Sequence, residues 1–487
     1  MKLYKQLTIL LIFYMSIHTI NSQIMTPPLA KKIPFSIKSN GQERIDNYYW
    51  LNDRENKDVI KYLEDENAYT SSMMKHTNDF KENLFKEMVD RIKQTDLSVP
   101  YKVRGYMYYT RYEEGKEYPI YCRKKGDLNG KEEIMLDVNI MATGSSYYDV
   151  TGLAVSPDNN LLSYGVDNVS RRKYTLYIKN LTTGEVYKET VPNTDGSYVW
   201  SNDNKTLFYD VKDDETLRTF LIKKHLLGNS SDKDVDVYKE EDITFNCGVY
   251  KSKSEDFIFI GSYSTLTSEV YYLDANQPGG SFQSVLPRER DHLYSVEYYD
   301  KNFYITTNKN CKNFRLVKAP VGNSNEASWV EVIPHRVDVL LDGIDIFKNY
   351  LVVSERVKGL TEIRIIKWGD SQGGEYLKFK EAAYSAYPSV NPDFDTDVLR
   401  YSYTSLTTPS SVFDYDMNTK KETLLKQQEV VGGYDPTQYK SERIFAKSPD
   451  GTMVPISIVY NAKTKLDAET PLLLRSEERR VGKECRL

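Results

Sequence analysis

Apolar residues recur at a helical spacing in one part of the chain, near its beginning. Two stretches place apolar side chains three or four residues apart, namely Val59, Ile60 and Leu63, and then Phe80, Leu84, Met88 and Ile92. Side chains at this spacing share one face of a helix. Pro100 lies just beyond, where a helix cannot continue because proline has no amide hydrogen. The pattern predicts two antiparallel helices between about residues 55 and 95.

From Tyr101 to about Gln428 a different pattern repeats: an apolar strand, a polar turn, a β-rich strand and an outer hairpin. Seven β-rich strands follow such turns, and they begin at Tyr106, Leu161, Thr206, Phe257, Phe303, Tyr350 and Val398. The turns are spaced by roughly 45 to 53 residues, the length of a four-stranded propeller blade. The sequence therefore predicts a mainly β fold, a seven-bladed β-propeller over residues 101–430. A double sandwich with irregular strands is the alternative.

Residues 431–474 no longer follow the repeat. A Gly- and Pro-containing linker leads into two β-rich runs, which are separated by the turn Ser448–Pro449–Asp450–Gly451. An Asp-Gly pair between two such runs is a strong hairpin signal. Only about thirty residues follow within this region, too few to close a hydrophobic core. We expect this region to be the incomplete start of a further domain.

The first 22 residues have the order of a secretory signal peptide. Lys2 and Lys5 precede the apolar run Leu7–Ile17, and the small or polar residues Asn21 and Ser22 follow it. The run is shorter than the roughly 20 apolar residues that a membrane span needs. The pattern predicts cleavage and a periplasmic or secreted protein, and an uncleaved N-terminal anchor is the alternative.

Composition narrows the classes of partner. The 487 residues include 40 Tyr, and tyrosine suits half-buried strand surfaces because its ring packs while its hydroxyl stays in water. The 65 basic and 70 acidic residues are mixed along the chain, so nothing indicates a nucleic-acid partner. The cysteines show no paired spacing and predict neither a disulfide framework nor a zinc site: Cys122, Cys247, Cys311 and Cys485. We expect no cofactor and no metal.

One pentapeptide resembles the nucleophile elbow of a hydrolase, Gly369–Asp370–Ser371–Gln372–Gly373. A second short strand follows it at once, so a hairpin loop inside a blade is the favoured interpretation, and Ser371 is not expected to be catalytic. The histidines lie far apart, and packing or surface roles are expected for them: His18, His76, His225, His292 and His335. The residues alone assign no catalytic, cofactor-binding or metal site.

Clusters of charge are interpreted as ordinary surface features. The triplet Arg171–Arg172–Lys173 lies between strands, and a solvated or interdomain ion-pair role is expected for it. The acidic runs Asp213–Asp214 and Glu240–Glu241–Asp242 are expected to be solvated turns. Residues 475–487 break abruptly from the apolar Leu472–Leu474, and they resemble the translation of a DNA sequencing adapter. A natural charged C-terminal helix is the alternative.

Long strings of this sequence resemble the prolyl oligopeptidase family, and in particular its oligopeptidase B branch. The strings are Asp46–Leu51, Glu64–Thr70, Arg91–Tyr101, Gly115–Tyr121, Asp167–Arg172, Lys312–Leu316, Glu331–Arg336 and Ser441–Arg443. The resemblance covers about residues 27–474. It implies a serine peptidase in which a seven-bladed propeller caps an α/β-hydrolase domain, against which an N-terminal extension, residues 23–100, would also pack.

The resemblance further implies hydrolysis of short peptides after Lys or Arg, with the propeller gating access. A serine would attack the carbonyl, a histidine would act as base and an aspartate would orient it. In such enzymes these residues lie downstream of the position of Leu474, so no residue here inherits a catalytic role, and the chain as given is expected to be inactive. A stand-alone propeller that binds peptides or protein partners is the alternative, and the oligomeric state is left open.

Overall fold

The structure, a computed structural model, describes residues 26–370 and 373–475. The chain forms two compact units that divide between Ile92 and Lys93. The predicted signal peptide, residues 1–22, and almost all of the adapter-like tail lie outside the described residues. None of the helices in the described part of the chain is both long and apolar enough to cross a membrane.

The first unit contains a hairpin and two helices. Strands β1 and β2 pair antiparallel, and they are followed by helices α1 and α2; the four elements span Phe35–Ser39, Gln42–Asp46, Lys57–Met73 and Asn78–Asp90. Helix α1 begins where the Asn56 side chain accepts a hydrogen bond from the Asp58 amide at 2.9 Å, which satisfies an otherwise free donor. The two helices cover the stretch in which the apolar spacing predicts them.

The second unit contains five four-stranded antiparallel sheets, each with its strands in sequence order. The first sheet is β3–β6, which span Tyr101–Val103, Tyr106–Arg111, Ile120–Lys125 and Glu132–Asp137, and a short helix α3, Val138–Met141, follows it. The second is β14–β17: Asn246–Lys251, Phe257–Tyr263, Ser268–Asp274 and Gln283–Ser284. The third is β18–β21: Tyr294–Tyr299, Asn302–Thr307, Arg315–Pro320 and Val330–Ile333.

The fourth sheet is β22–β25, which span Val339–Ile346, Tyr350–Val357, Leu360–Lys367 and Glu375–Tyr376. The fifth is β26–β29, at Tyr384–Pro388, Val398–Ser405, Ser411–Asp416 and Glu422–Gln427. Between the first and second sheets lies one continuous sheet of seven strands, β7–β13. Its strands are Asp149–Val155, Leu161–Asp167, Tyr174–Asn180, Val191–Trp200, Thr206–Lys212, Thr219–Leu226 and Val235–Lys239.

The prediction of seven separate blades is therefore wrong, although each of the seven predicted β-rich strands is present. Five four-stranded blades are present, and a seven-stranded sheet takes the place of separate ones over residues 149–239. The cause is the length of β10. Its beginning pairs with β9, through Val191 and Thr194, and its end pairs with β11, through Tyr198 to Trp200. One ten-residue strand thus joins two groups of strands that the repeat length alone separates.

The hydrophobic core lies between neighbouring sheets, as a propeller requires. Phe259 and Tyr272 of the β14–β17 sheet pack against Phe303 of the next sheet, and the rings of Tyr272 and Phe303 meet edge to face at 4.8 Å. The same arrangement recurs between the β22–β25 and β26–β29 sheets, where Val352 packs with Tyr401. Each sheet buries its faces only against its neighbours, so the sheets stabilise one another.

The last blade and the segment before the first blade are held together by side chains. The Arg400 guanidinium donates to the Pro100 carbonyl at 2.7 Å, and Lys426 Nζ lies 2.7 Å from the Asp96 carboxylate. After the last blade, β30 and β31 form a hairpin, spanning Tyr439–Lys447 and Met453–Asn461. This is the hairpin that the Asp450–Gly451 turn predicts.

Candidate functional site

A cavity of about 770 Å³ opens along the channel of the propeller. It is lined mainly by the first strands of successive groups, β10, β14, β18 and β22, together with parts of β11, β15 and β16. This volume is within the range of small-ligand sites, which run from roughly 300 to 1,000 Å³. The cavity has room for a ligand of a few residues.

A bulge in β10 places two carboxylates at the cavity wall. Thr194 pairs with Val211 and Tyr198 pairs with Tyr209, so three residues of β10 lie opposite a single residue of β11. The single residue is Asp210, and the three are Asp195, Gly196 and Ser197. Such a bulge bends the strand and redirects its side chains. Asp195 and Asp210 consequently both line the cavity.

Asp210 is almost completely buried, at 2% exposure. Its Oδ1 accepts a hydrogen bond from the Val249 amide at 3.1 Å. Burial first, and then the negative charge of Asp195, raise the pKa of Asp210 well above its usual value. Asp195 accepts from the Ser197 amide at 2.7 Å, within its own bulge. No lysine, arginine or histidine is among the described residues that line the cavity.

The other acidic residues of the cavity are neutralised. Glu269 lies 3.0 Å from Arg288 Nε, and Asp342 lies 3.1 Å from Arg356 Nη2. Two glycines that pair across β14 and β15, Gly248 and Gly261, contribute no side chains to the cavity wall, and Gly248 lies next to Asp210. Asp195 and Asp210 are therefore the two carboxylates of the cavity for which the described residues provide no ion pair, and the positive charge of Lys212, which does not line the cavity, acts on both.

Two ion pairs join sheets that are not consecutive, at or next to the turns between the first and second strands. Arg104 pairs with Glu255, although the seven-stranded sheet lies between their two sheets in sequence. Lys253 Nζ lies 2.5 Å from Asp345, again between sheets that are not consecutive. Burial and the charge of Asp345 raise the pKa of the neighbouring Glu297 to about 7. These two pairs therefore connect sheets that are separated in sequence by another sheet.

Glu240 corrects one interpretation of the sequence, because it is not part of a solvated turn. Its side chain is 4% exposed and pairs with Arg288 Nη2 at 2.5 Å. Tyr238 and the Asp242 amide also donate to it, at 2.8 and 2.9 Å. Burial alone would raise the pKa of Glu240, but these donors outweigh it and lower the pKa to about 2. One residue of the polar run, Glu240, therefore forms a buried ion pair with Arg288.

The elbow-like pentapeptide lies in a loop between β24 and β25. These strands pair antiparallel, Arg364 with Tyr376 and Ile365 with Glu375, so the loop is a hairpin connection as expected. Ser371 itself lies outside the described residues. A nucleophile elbow connects a strand to a helix, and here the element that follows is a strand.

One histidine has a partner that the sequence did not indicate. His225 Nδ1 lies 2.7 Å from Asp234, to which Tyr209 also donates at 2.8 Å. His225 is completely buried, and its Nε2 has no hydrogen-bond partner among the described residues. The pairing of Lys224 with Val235 brings the two side chains together, and only a known register could have revealed it. The pair is closed to substrate and is structural.

The remaining candidate residues stay apart. His292 Nε2 lies 2.8 Å from the Thr307 hydroxyl in a buried position, whereas His76 is exposed. Cys122, Cys247 and Cys311 are free thiols. Within residues 26–370 and 373–475, no group of three His, Cys, Asp or Glu side chains could hold a metal ion.

The Arg171–Arg172 segment is held by a buried carboxylate. Asp167, at 2% exposure, accepts hydrogen bonds from the amides of Val169, Arg171 and Arg172, at 2.9, 2.8 and 2.6 Å. Both arginine residues are exposed. The loop therefore presents two cations from a fixed backbone, in agreement with a solvated position.

This fold, a channelled propeller of antiparallel sheets, is that of a known family of peptidase domains. Residues 27–428 match the family described as "Prolyl oligopeptidase, N-terminal beta-propeller domain", and the chain belongs to this family. The family is one of serine peptidases, which are hydrolases, and the resemblance drawn from the sequence is confirmed.

Individual relatives share most of this chain. It is 41% identical to dipeptidyl aminopeptidase BI of Pseudoxanthomonas mexicana and 33% identical to Protease 2 of Moraxella lacunata, in each case over 92% of the chain. The chain spans 64% and 65% of the length of these two relatives. The structure of oligopeptidase B from Leishmania major is 31% identical, with a TM-score of 0.84 over 92% of this chain and 66% of that one.

Proposed function

We propose that this chain is the propeller-bearing part of a serine oligopeptidase that hydrolyses short peptides after Lys or Arg. The observation that carries the proposal is the likeness to oligopeptidase B from Leishmania major, at 31% identity and a TM-score of 0.84. A second oligopeptidase B, from Trypanosoma brucei, supports it at 29% identity and a TM-score of 0.82.

In such a reaction, this chain would control the access of peptides to the catalytic centre. A cavity of about 770 Å³ holds a short peptide segment and is far too small for a folded protein. The pairs Arg104–Glu255 and Lys253–Asp345 join sheets that are not consecutive, and they would help to hold the propeller closed. Peptides would reach a catalytic centre through the channel or after the domains separate, and such a gating step commonly limits turnover.

The chain as given is proposed to be inactive. A catalytic serine needs a histidine as base and an acid that orients it. Among the described residues, the one buried His–Asp pair, His225 with Asp234, has no hydroxyl at its free nitrogen. The purified chain should not release fluorophore from an arginyl fluorogenic peptide, and turnover abolished by Ser371→Ala would overturn this.

A second candidate function is the release of dipeptides from free amino termini. It is favoured by the 41% identity to a relative named dipeptidyl aminopeptidase BI. The gene, sequenced from intact genomic DNA and expressed, distinguishes the candidates. Cleavage of N-blocked peptides after Lys or Arg supports the first, and dipeptide release only from free amino termini supports the second. A natural stop codon just after Leu487 would instead favour a binding module, and would also reject the adapter interpretation of residues 475–487.

The protein is proposed to be periplasmic or secreted. Support comes from the order of charge, apolar run and small residues in residues 1–22. Fractionation of cells that express the chain, with N-terminal sequencing of the product, tests this. A mature chain that begins near Gln23 is expected, and an intact Met1 in the cytosolic fraction would contradict it.

A further inference from the structure

The charge of the Asp195–Asp210 pair has no counterpart in the cavity that it lines. Asp210 is 2% exposed, and its one hydrogen bond is from the Val249 amide to Oδ1. We propose that this pair binds the cationic group of a peptide, either an α-ammonium group or the side chain of Lys or Arg, inside the propeller channel. The assignment deepens the proposed function and rests on it for the ligand being a peptide.

The physical reason for a cation is the cost of burying carboxylates. An ionised carboxyl away from water is unfavourable unless a positive charge and hydrogen bonds compensate it. Glu269 and Asp342, which line the same cavity, each have an arginine partner. Asp195 and Asp210 face each other across the bulge with only backbone amides and the Ser197 hydroxyl as donors. A bound ammonium or guanidinium would supply the missing charge.

The shape of the cavity favours an organic cation over a metal ion. Two carboxylates alone are a sparse ligand set for a hard cation, which takes about six oxygen ligands, and no group of three acidic, histidine or cysteine side chains suited to a metal occurs in the described chain. Apolar side chains also line the cavity, including those of Val249, Val270 and Leu293. These side chains suit the aliphatic stem of a long cationic residue.

The position of the pair is fixed by the backbone. Gly196, at the centre of the bulge, has a φ of +100°, and a Cβ added at Gly152 of β7 would lie 1.8 Å from its carbonyl oxygen. The two inner strands therefore approach each other through glycines, which holds the bulge against β7. A site on such a rigid element loses little entropy when it binds. At Gly248, a Cβ would lie 3.4 Å from Asp210 Oδ2, so this glycine keeps the space beside the carboxylate open.

Calorimetric titration of the purified chain with three short peptides tests the site. The first has a free amino terminus and no basic residue; the second is N-acetylated with one lysine; the third is N-acetylated and neutral. We expect at least one cationic peptide to bind and the neutral peptide not to bind. Which of the two binds more tightly identifies the source of the cation.

Charge-neutralising variants locate the site. Asp195→Asn and Asp210→Asn should each weaken cationic peptide binding by roughly tenfold or more, since one lost ion pair in a buried site is worth at least about 1.4 kcal/mol. The matched control is Asp236→Asn, which makes the same change on the outer strand of the same sheet, where Asp236 is 59% exposed. Gly248→Ala should weaken binding by narrowing the space beside Asp210 Oδ2.

Each result of these experiments either supports or overturns the proposed site. Equal binding of the neutral peptide, absence of binding by all three peptides, or unchanged affinity in both Asn variants would overturn the site. If circular dichroism shows that Asp210→Asn does not fold, Asp195→Asn, at a half-buried position, carries the test. Because binding is measured without hydrolysis, failure of the site is distinct from failure of the proposed peptidase function.

Discussion

At the scale of single residues, buried charge distinguishes structural carboxylates from candidate binding ones. Glu240 is surrounded by donors, and its pKa falls to about 2, whereas Asp210 accepts one backbone hydrogen bond and the charge of Lys212 does not offset its burial, so its pKa rises. Both residues are buried to a similar degree. Partners, rather than burial, therefore decide which carboxylate stabilises the fold and which is available to a ligand.

Glu240→Gln tests the structural role. A carboxyl group whose folded pKa is depressed stabilises the protein fully above its unfolded pKa of about 4.5, and this stabilisation is lost as the pH falls towards 2. The variant should be less stable by roughly 2–3 kcal/mol near pH 7, and it should lose less stability than the wild type on acidification. Urea unfolding near pH 7 and near pH 3 measures both effects.

The control for that prediction is Glu241→Gln. Glu241 is the next residue, but its side chain is 77% exposed. Its replacement should leave the unfolding midpoint nearly unchanged at both pH values. Identical acid sensitivity in Glu240→Gln and the wild type would contradict the assigned pKa.

The sequence did not indicate that Asp195 and Asp210 lie close together. Asp195 lies in a polar stretch and Asp210 in a β-rich run, 15 positions further along the chain, and both look like ordinary strand or turn positions. Only the bulge register of β10 against β11 brings them together. The buried role of Glu240 was missed for a related reason. Its partner Arg288 lies in the connection between β17 and β18, so no neighbouring residue in the sequence indicates the ion pair.

At the scale of elements, β10 is the strand on which prediction failed. Polar turns and β-rich runs indicated each of the seven second strands, because both signals are local. The number of separate sheets depends on hydrogen bonds between strands, and these were not readable from a repeat length. β10 pairs on both sides by passing through a bulge, so a boundary expected from spacing is absent.

The close approach of β7 and β10 makes a prediction about glycine. A Cβ at Gly152 would lie 1.8 Å from the Gly196 carbonyl oxygen, and its φ is +65°. Gly152→Ala should therefore destabilise the protein by about 3 kcal/mol or more, through backbone displacement and strain. Urea unfolding measures the loss.

Gly279→Ala is the matched control for that substitution. A Cβ there meets nothing within 4 Å, and no positive φ constrains it. Its stability should stay within about 0.5 kcal/mol of the wild type, as for an ordinary surface change. A similar small effect for Gly152→Ala would refute the close approach of the two strands.

At the scale of the whole second unit, side chains join the last blade to the start of the first. Arg400 donates to the Pro100 carbonyl at 2.7 Å and to both oxygens of Asp414, at 2.8 and 3.0 Å. Arg400→Met should raise amide exchange in β3 and β27 more than elsewhere, because the carboxylate and the carbonyl lose their donor together. Hydrogen-exchange mass spectrometry reads this directly.

Arg290→Met is the control for the Arg400→Met prediction. The Arg290 side chain is 94% exposed and has one long ion pair, to its neighbour Asp291 at 3.8 Å. Its replacement should leave exchange unchanged throughout the propeller. Exchange that rises equally in all blades of Arg400→Met would show a general loss of stability rather than a local opening.

Strand β10, which joins two groups of strands, affects the order in which parts of the propeller unfold. The strands from Asp149 to Lys239 form one hydrogen-bonded sheet, and β10 joins its two halves through a bulge. Each four-stranded blade can unfold separately, with loss of the packing against its neighbouring sheets. We expect the seven-stranded sheet, by contrast, to open as one cooperative unit, and to be the last part of the propeller to exchange its amide hydrogens during partial denaturation.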